Sequence, residues 1–332
     1  MSVSLSNLPL VSVIIPTYNR ERTVMRAIDS ALRQTYPNKQ IIVIDDGSKD
    51  KTRELLEKRT DIEYYWQENQ RQSAARNHGL DRARGDYVAT LDSDDYWDEN
   101  HLARAMTAIQ RYQVPIYFAN WREVDEQGQL LAADRFKDTS YMPPVSTSPD
   151  ADGFCHLSAE RTRELIVIHR PAPSTAMVMR KDKMARWNLE VARWTLEDLL
   201  LLSEITLNHN ATCAFSSRPT WTKPLQGDNI SVHATVVAAA RREACGLECI
   251  YKHINDRLPE PEHARYRKMV AEHFFDYAYY TAQESALSAV PLFLKSWRYQ
   301  PSSRPLVAMF KSLVKAVTPG SKPAEAKKVR PH

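Results

Sequence analysis

The stretch YVATLDSDD, residues 87–95, joins a short apolar segment to a cluster of carboxylates. Its first five residues predict a buried strand, residues 87–91. Ligands of open α/β sheets bind at the carboxyl ends of the strands, where Asp92, Asp94 and Asp95 would lie. Carboxylate oxygens in this arrangement suit Mg²⁺ or Mn²⁺ bridged to a substrate diphosphate. An ordinary Asp-rich turn is the competing interpretation, because Asp favours turns.

Upstream of this stretch, apolar segments alternate with helical patterns. The predicted strands are residues 10–16, 40–44 and 62–66, and the predicted helices are residues 21–34, the segment around Leu55 and Leu56, and residues 72–83. Strands and helices that alternate over short connections form a parallel sheet with right-handed crossovers. The polar loops carrying Thr17, Asp46 and Asp92 would then open at one edge of the sheet, as a nucleotide site requires.

Five motifs follow one another at ordinary spacing between about residue 10 and about residue 232. They are VSVIIPTYNR (11–20), IIVIDDGSKD (41–50), NQRQSAARNHGL (69–80), GDYVATLDSDDYW (85–97) and LED (196–198). Together they resemble inverting glycosyltransferase family 2. The resemblance implies the GT-A fold, an α/β architecture with a Rossmann-like, mostly parallel sheet flanked by helices, and it implies nucleotide-sugar donors.

The resemblance covers about two thirds of the chain, and the remainder differs in kind. We expect a GT-A domain at residues 1–233, with a nucleotide-binding half at about 10–96 and an acceptor half at about 97–233. Apolar residues at helical spacing predict a helical region at residues 234–317. Residues 318–332 are basic, and we expect them to form a disordered tail.

The resemblance also implies residues that bind the donor. Asp46 would accept the imide N–H of the base, which favours uracil and hence a UDP-sugar; a polar turn after a strand is the alternative. Asp92 would contact the ribose and Arg76 would lie near the nucleotide, where a guanidinium pairs with phosphate or carboxylate. Arg71 stands where the family often has glycine. The other expected donor contacts are Pro16, Thr17, Tyr18, Asn19, Ser73, Ser93 and Lys223.

Metal and base chemistry are implied by two acidic motifs. Asp94 matches the family's metal ligand, with Asp92 and Asp95 beside it, and the cation would stabilise charge on the leaving diphosphate. Asp198 matches the base that deprotonates the acceptor hydroxyl, and Glu197 is its neighbour. Thr195 and Asp198 also fit a capping box, in which the carboxylate only satisfies backbone N–H groups.

Further residues concern the acceptor and the metal. Trp187 and Trp194 flank the segment before LED, and each is a candidate for stacking on a sugar ring or for ordinary core packing. Gln226 stands where many family members carry a histidine. His233 is the nearest substitute, so a third metal contact stays open.

Composition limits the class of protein. The net charge of +4 does not suggest a nucleic-acid binder. No stretch approaches 18 apolar residues and no secretory signal is visible, so we expect a cytoplasmic protein. The four cysteines are scattered, which favours reduced thiols over a zinc site.

A basic amphipathic helix is predicted near the C-terminus. It would place Leu306, Met309, Phe310, Leu313, Val314 and Val317 on one face, with Lys311 and Lys315 opposite. Residues 304–332 could therefore hold the protein on an anionic membrane at the inner face of the cell membrane, or the helix could pack on its own domain. The C-terminal helices are also a candidate surface for oligomerisation.

The patterns together predict transfer of a sugar to a hydroxyl of a cell-surface glycan or a lipid-linked acceptor, with inversion in a single displacement. A nucleotidyltransferase is the alternative among enzymes, but it would normally carry a glycine-rich phosphate loop after the first strand. A non-catalytic scaffold that binds glycan or nucleotide is the alternative among other classes. The acidic residues Asp92, Asp94 and Asp198 argue against such a scaffold.

Overall fold

The computed structural model describes residues 8–137, 148–169, 175, 177–225 and 235–317. These residues fall into two compact units. The first holds the described residues through Ala192 and from Glu197 to Leu225. The second holds Arg193–Leu196 and the residues from Thr235 onward.

The first unit begins with four parallel strands in the order β3-β2-β1-β4. The strands are β1 (Val11–Thr17), β2 (Lys39–Asp45), β3 (Glu63–Trp66) and β4 (Tyr87–Thr90), and the helices between them are α1 (Val24–Leu32), α2 (Thr52–Leu56) and α3 (Gln72–Arg82). This half agrees with the prediction within a few residues, because its hydrophobic periods are strong.

The sheet then continues as a mixed sheet. Its further elements are β5 (Tyr96–Trp97), α4 (His101–Tyr112), β6 (Ile116–Val124), β7 (Leu130–Ala132), β8 (Phe154–Leu157), α5 (Ala159–Arg163), a π-helical turn (Glu164–His169), β9 (Val178–Arg180), α6 (Glu197–His209) and β10 (Cys213–Pro224). The short strand β9 lies between β4 and β6 and is antiparallel to both. The strand β10 contains an irregularity between Ser216 and Trp221 and pairs in parallel with β6.

Both faces of the central strand β1 are covered, since all seven of its residues are buried. Val13 and Ile15 belong to the cluster on one face, and Ile14 belongs to the cluster on the other. Gly79 of α3 allows a close approach to the second face, because a Cβ at this position would lie 2.4 Å from Cγ2 of Ile14. The helix that carries Arg76 is therefore packed tightly against the strand that leads to the expected nucleotide loop.

The second unit contains four helices among its described residues. They are α7 (Val236–Ile254), α8 (Glu260–Glu284), α9 (Ala286–Tyr299) and α10 (Ser303–Val317). Thr235 and Ser285 cap α7 and α9 with side-chain hydrogen bonds to backbone N–H groups. Within the described ranges, no helix combines the length and apolar character needed to cross a membrane. The expected tail, residues 318–332, lies outside the described residues.

Candidate functional site

An acidic cluster follows β4 at the carboxyl edge of the sheet. Asp92, Asp94 and Asp95 each offer one oxygen, and these three oxygens all lie within 4.8 Å of one another. Asp95 is buried, whereas Asp92 and Asp94 are partly accessible. Nη2 of Arg20 lies 3.2 Å from Oδ2 of Asp94. The sequence prediction that three carboxylates meet at this edge is therefore met in the structure.

The electrostatics of the cluster suit a divalent cation. Burial raises the pKa of Asp95 well above its ordinary value, and Asp94 and Asp92 raise it further. Burial and the neighbouring Asp92 also raise the pKa of Asp94, while Arg20 opposes the shift. Three crowded carboxylates form a hard oxygen donor set, and a cation such as Mg²⁺ or Mn²⁺ would relieve their repulsion. The residues present thus fit the metal that the motif implies.

Arg76 connects this cluster to the start of α6. Its fully buried guanidinium lies 2.8 Å from Oδ1 of Asp92, 3.4 Å from Oε1 of Glu197 and 3.2 Å from Oδ2 of Asp198. Burial alone would lower the pKa of Arg76, but the charges of Asp198, Asp92 and Glu197 outweigh burial and raise it. The sequence placed Arg76 near the nucleotide. The structure shows it bonded to the carboxylates of two separate motifs.

The two acidic residues of LED have different environments. The Asp198 side chain is 23% exposed, whereas the Glu197 side chain is 7% exposed. Burial and the adjacent charge of Asp198 raise the pKa of Glu197 above that of an ordinary glutamate, and Arg76 opposes the shift. Asp198 is therefore the more accessible of the two carboxylates.

The capping-box interpretation of Asp198 does not describe its contacts. Thr195 has φ 57°, and its hydroxyl donates 2.7 Å to the carbonyl of Trp194. The helix α6 begins at Glu197, and the Asp198 carboxylate accepts from Arg76 and from the indole of Trp187. Its observed partners are side chains that orient a carboxylate.

Trp187 is the second group that holds Asp198. Its Nε1 donates 2.7 Å to Oδ1 of Asp198, and the ring is 1% exposed. Asn77 holds the backbone of Trp187 from both sides, since Nδ2 donates 2.9 Å to its carbonyl and Oδ1 accepts 2.8 Å from its N–H. Stacking on a sugar needs an exposed ring face, so the stacking role expected for Trp187 is corrected. Trp194, the other candidate for stacking on a sugar ring, belongs to the second unit, where Arg241 lies 6.0 Å from its ring centroid.

The loops after β1 and β2 are tied together by hydrogen bonds. The Asn19 N–H donates 2.9 Å to Oγ of Ser48, and Oδ1 of Asn19 accepts 2.8 Å from the N–H of Lys49. Pro16 and Thr17 are buried in β1, whereas Tyr18 is 41% exposed. The expected nucleotide loop therefore has a fixed backbone and one accessible aromatic side chain.

Asp46 is oriented by two donors from the segment after β3. Its Oδ1 accepts 2.7 Å from Nε2 of Gln67 and 2.9 Å from the N–H of Gln70. Both bonds engage the same oxygen, so the carboxylate is held while its second oxygen keeps its own accepting positions.

The remaining expected donor contacts lie close to these groups. Arg71 precedes α3 with φ 73°, a conformation that favours glycine, which explains physically why glycine suits this position. Ser73 and Ser93 are both buried. The positive charge of Lys223 on β10 opposes the rise in the pKa values of Asp94 and Asp95. Gln226 and His233 lie outside the described residues.

Three residues of the site, Arg20, Arg26 and Asn77, had no role predicted from the sequence. Arg20 pairs with Asp94, and Nη2 of Arg26 donates 3.3 Å to the Asp94 carbonyl. Arg20 closes the motif VSVIIPTYNR, and Asn77 lies directly after Arg76 in its own motif. Membership in these motifs was the sequence signal that could have marked Arg20 and Asn77 as site residues. The partner of Arg20 is 74 residues away along the chain, and the partner of Asn77 is 110 residues away.

The mixed sheet and its flanking helices belong to the class of GT-A-like folds. Staphylococcus aureus TarS, residues 1–349, is similar with a TM-score of 0.58 and 18% identity, over 93% of this chain and 82% of that one. The mannosyltransferase PcManGT of Pyrobaculum calidifontis, solved with GDP-Man and Mn²⁺, is similar with a TM-score of 0.55 and 15% identity, over 96% and 83%. These likenesses confirm the predicted fold, and at such identities they show the fold alone.

Within that class, residues 12–156 match the family model described as Glycosyl transferase family 2. An uncharacterized glycosyltransferase of Haemophilus influenzae is 36% identical over 131 residues, which are 38% of this chain and 52% of that protein. TuaG of Bacillus subtilis, a glycosyltransferase provisionally assigned to teichuronic acid biosynthesis, is 35% identical over 133 residues, 39% and 52% of the two chains. GlyA of Streptococcus pneumoniae is 36% identical over 135 residues, 40% and 19%. The chain thus spans about half or less of these curated relatives.

Proposed function

We propose that the protein is a metal-dependent glycosyltransferase that moves a sugar from a nucleotide-sugar donor to an acceptor hydroxyl. The transfer is a single displacement that inverts the anomeric centre. The observation that carries the proposal is the buried guanidinium of Arg76, which bonds Asp92 of the acidic cluster and Asp198 of α6 at the same time. Arg76 would thereby fix the position of the accessible Asp198 carboxylate relative to the edge that would bind the diphosphate. Transfer between two substrates requires such a fixed geometry between the donor site and the base.

The donor half of the site is the loop cluster at the edge of β1, β2 and β4. Asp94, with Asp92 and Asp95, would hold a divalent cation, which supplies charge stabilisation for the diphosphate leaving group. Arg20 and Lys223 place further positive charge beside the same carboxylates. These side chains would bind the donor and keep its diphosphate in one orientation.

The acceptor half is the start of α6. Asp198 is the proposed base because it is the more exposed of the two adjacent carboxylates, and a base must reach the proton that it removes. Trp187 and Arg76 each hold this carboxylate in a defined orientation. Glu197, with its raised pKa, would remain beneath it and limit the total negative charge around Arg76.

A UDP-sugar is the proposed donor. Asp46 supports this choice, because a carboxylate held by Gln67 and Gln70 can accept the imide N–H of uracil. TarS of the same fold was solved with UDP-GlcNAc, and PcManGT was solved with GDP-Man. The fold is thus compatible with more than one nucleotide, so the base preference must come from side chains such as Asp46.

A growing cell-surface glycan, free or lipid-linked, is the proposed acceptor. TuaG, which is similar to this chain over 133 residues, carries a provisional assignment to teichuronic acid biosynthesis, and that assignment supports this class of acceptor. The identity of the sugar and the linkage depend on the shape of the pocket around the acceptor.

The test is release of the nucleoside diphosphate from a panel of nucleotide sugars with Mn²⁺, with and without glycan acceptors. We expect turnover with a UDP-sugar, and we expect Asp198→Asn to reduce kcat by roughly 10²–10⁴ with donor affinity little changed. The matched control is Asp125→Asn, which changes a partly exposed turn carboxylate outside the site. Full activity of Asp198→Asn would rule out the base, and absence of turnover together with absence of nucleotide binding would overturn the proposed function.

A further inference from the structure

The helix α10 carries an exposed apolar stripe. Its exposed apolar side chains are Leu306 (36%), Val307 (49%), Phe310 (67%), Val314 (44%) and Val317 (80%). At 100° per residue these five positions fall within about 100° of the helix circumference. Such a concentration of exposed large side chains on one helix marks an interaction surface rather than scattered exposure.

The opposite side of α10 is already packed. Pro305 is buried, and Ala308 and Met309 pack against the core cluster that contains Phe293. Met309, which the sequence placed on the same face as Leu306 and Phe310, therefore belongs to the inner side. The outer stripe persists although the helix is docked on its own unit, so internal packing does not account for it.

Basic residues border the stripe on one side. Arg304, Lys311 and Lys315 are exposed and lie together on the helix circumference, next to Val307 and Val314. No acidic residue occurs in the described chain after Glu284, and α9 adds Arg298, whereas Lys295 of α9 pairs with Glu248. The apolar stripe and this basic border are called the α10 surface below.

We propose that the α10 surface binds an anionic lipid surface, with α10 lying in the plane of the interface. Apolar side chains would enter the boundary between headgroups and acyl chains, while the basic border meets the anionic headgroups. Charge decides between occupants: a second copy of the chain presents the same basic border, whereas an anionic membrane supplies the opposite charge. The second unit would bind at the membrane surface and not cross it.

This inference goes beyond the proposed function and does not depend on it. A lipid surface would bring the chain to the place where lipid-linked acceptors are found, but the binding needs neither donor nor metal. Vesicle binding and nucleotide release can therefore fail separately.

The experiment is co-sedimentation of the full-length protein with vesicles of equimolar phosphatidylglycerol and phosphatidylcholine, and with vesicles of phosphatidylcholine alone. We expect binding to the anionic vesicles at low salt and release at about 0.5 M NaCl, because salt screens the attraction. Phe310→Glu and Lys311→Glu should each weaken binding to the vesicles. For Phe310→Glu we expect a loss of about tenfold or more, because the variant lacks the inserted ring and its carboxylate repels the anionic headgroups.

Two matched controls separate the α10 surface from general effects of charge. Leu130→Glu replaces an exposed leucine of the first unit, and Lys58→Glu replaces an exposed lysine just after α2. Both should bind vesicles like the wild type. Because Phe310 is 67% exposed, its variant should keep the wild-type unfolding temperature.

Three results would overturn the inference: wild-type binding by Phe310→Glu, equal binding to neutral and anionic vesicles, or no vesicle binding at all. In the last case, light scattering that shows a dimer for the wild type and a monomer for Phe310→Glu would assign the α10 surface to contact between two copies.

Discussion

The indole Nε1 of Trp187 donates a 2.7 Å hydrogen bond to Oδ1 of Asp198. The donor is buried and its backbone is held on both sides by Asn77, whereas the acceptor is partly open to solvent. A fixed donor therefore orients an accessible carboxylate, which is the relationship expected of a positioning residue and a base.

Trp187→Phe should lower kcat with little change in nucleotide-sugar affinity. The variant keeps the aromatic packing but removes the N–H, and a hydrogen bond to a charged group is worth about 1.5–3 kcal/mol, so a loss of roughly tenfold or more in kcat is expected. Steady-state kinetics with separate kcat and KM, together with calorimetric donor binding, would measure this.

Trp221→Phe is the matched control, because Trp221 is equally buried and donates 3.1 Å to the backbone carbonyl of Ala119. It should reduce stability but leave kcat near that of the wild type. If both variants lost kcat in proportion to stability, Trp187 would be only a packing residue.

Arg76→Lys should lower kcat/KM by about 10², because an ammonium cannot reproduce the fork that reaches Asp92, Glu197 and Asp198 together. Arg76→Met should also destabilise the fold by roughly 3–5 kcal/mol, since it removes the cation that these partly buried carboxylates share. Urea unfolding and kinetics on both variants would test this.

Arg84→Lys provides the control for guanidinium loss, because Arg84 pairs with Glu63 at an exposed position. We expect a change within about 0.5 kcal/mol and unchanged kinetics. An Arg76→Lys protein with wild-type kinetics would show that charge alone suffices at this position.

Asp94→Ala should abolish turnover and remove the gain in UDP affinity that Mn²⁺ confers. Affinity measured in EDTA should change little, because Asn19 and Asp46 are held by Ser48 and Gln67 rather than by the acidic cluster. Titration calorimetry with UDP in Mn²⁺ and in EDTA distinguishes these effects. Wild-type turnover that persists in excess chelator would contradict a metal-dependent mechanism.

His101 should make folding stability fall as the pH drops below about 6.5. It is fully buried, stacked on Trp97, with Nδ1 2.8 Å from Oγ1 of Thr220, and burial lowers its pKa to about 3. The unfolded chain binds a proton below about pH 6.5 that the folded chain does not, so His101 destabilises the fold by roughly 2 kcal/mol at pH 5 relative to pH 7.

His101→Phe keeps the stacked ring and removes the titration. Its free energy of unfolding should therefore depend less steeply on pH between 7 and 5 than that of the wild type, by about the same 2 kcal/mol. Parallel pH dependences in the two proteins would show that His101 does not titrate differently on folding.

The elements that could be predicted from sequence are those with local signals. β1 and β2 are continuous apolar runs, and each is followed by a polar loop that contains an expected nucleotide contact. β9 could not be predicted in the same way, because it has three residues and its antiparallel pairing depends on β4 and β6. Short strands are defined by their neighbours rather than by their own periodicity.

The residues of the candidate site also differ in whether their contacts are local in the sequence or long-range. Asp92, Asp94 and Asp95 are close in sequence, so their proximity follows from the backbone alone. The pairing of Arg76 with Asp198 spans 122 positions. Residue types and motif order indicated that both matter, but not that they touch.

The sequence by itself determined the class of fold, the edge of the sheet at which ligands would bind, and the identity of the acidic groups, because hydrophobic period and motif order are properties of contiguous residues. Only the tertiary structure decided how those groups act on one another. It buried Arg76 among three carboxylates, turned Trp187 from a candidate sugar platform into a hydrogen-bond donor, and left Phe310 exposed while Met309 packed inward. Burial and long-range pairing depend on which elements meet in space, and a local pattern does not contain that information.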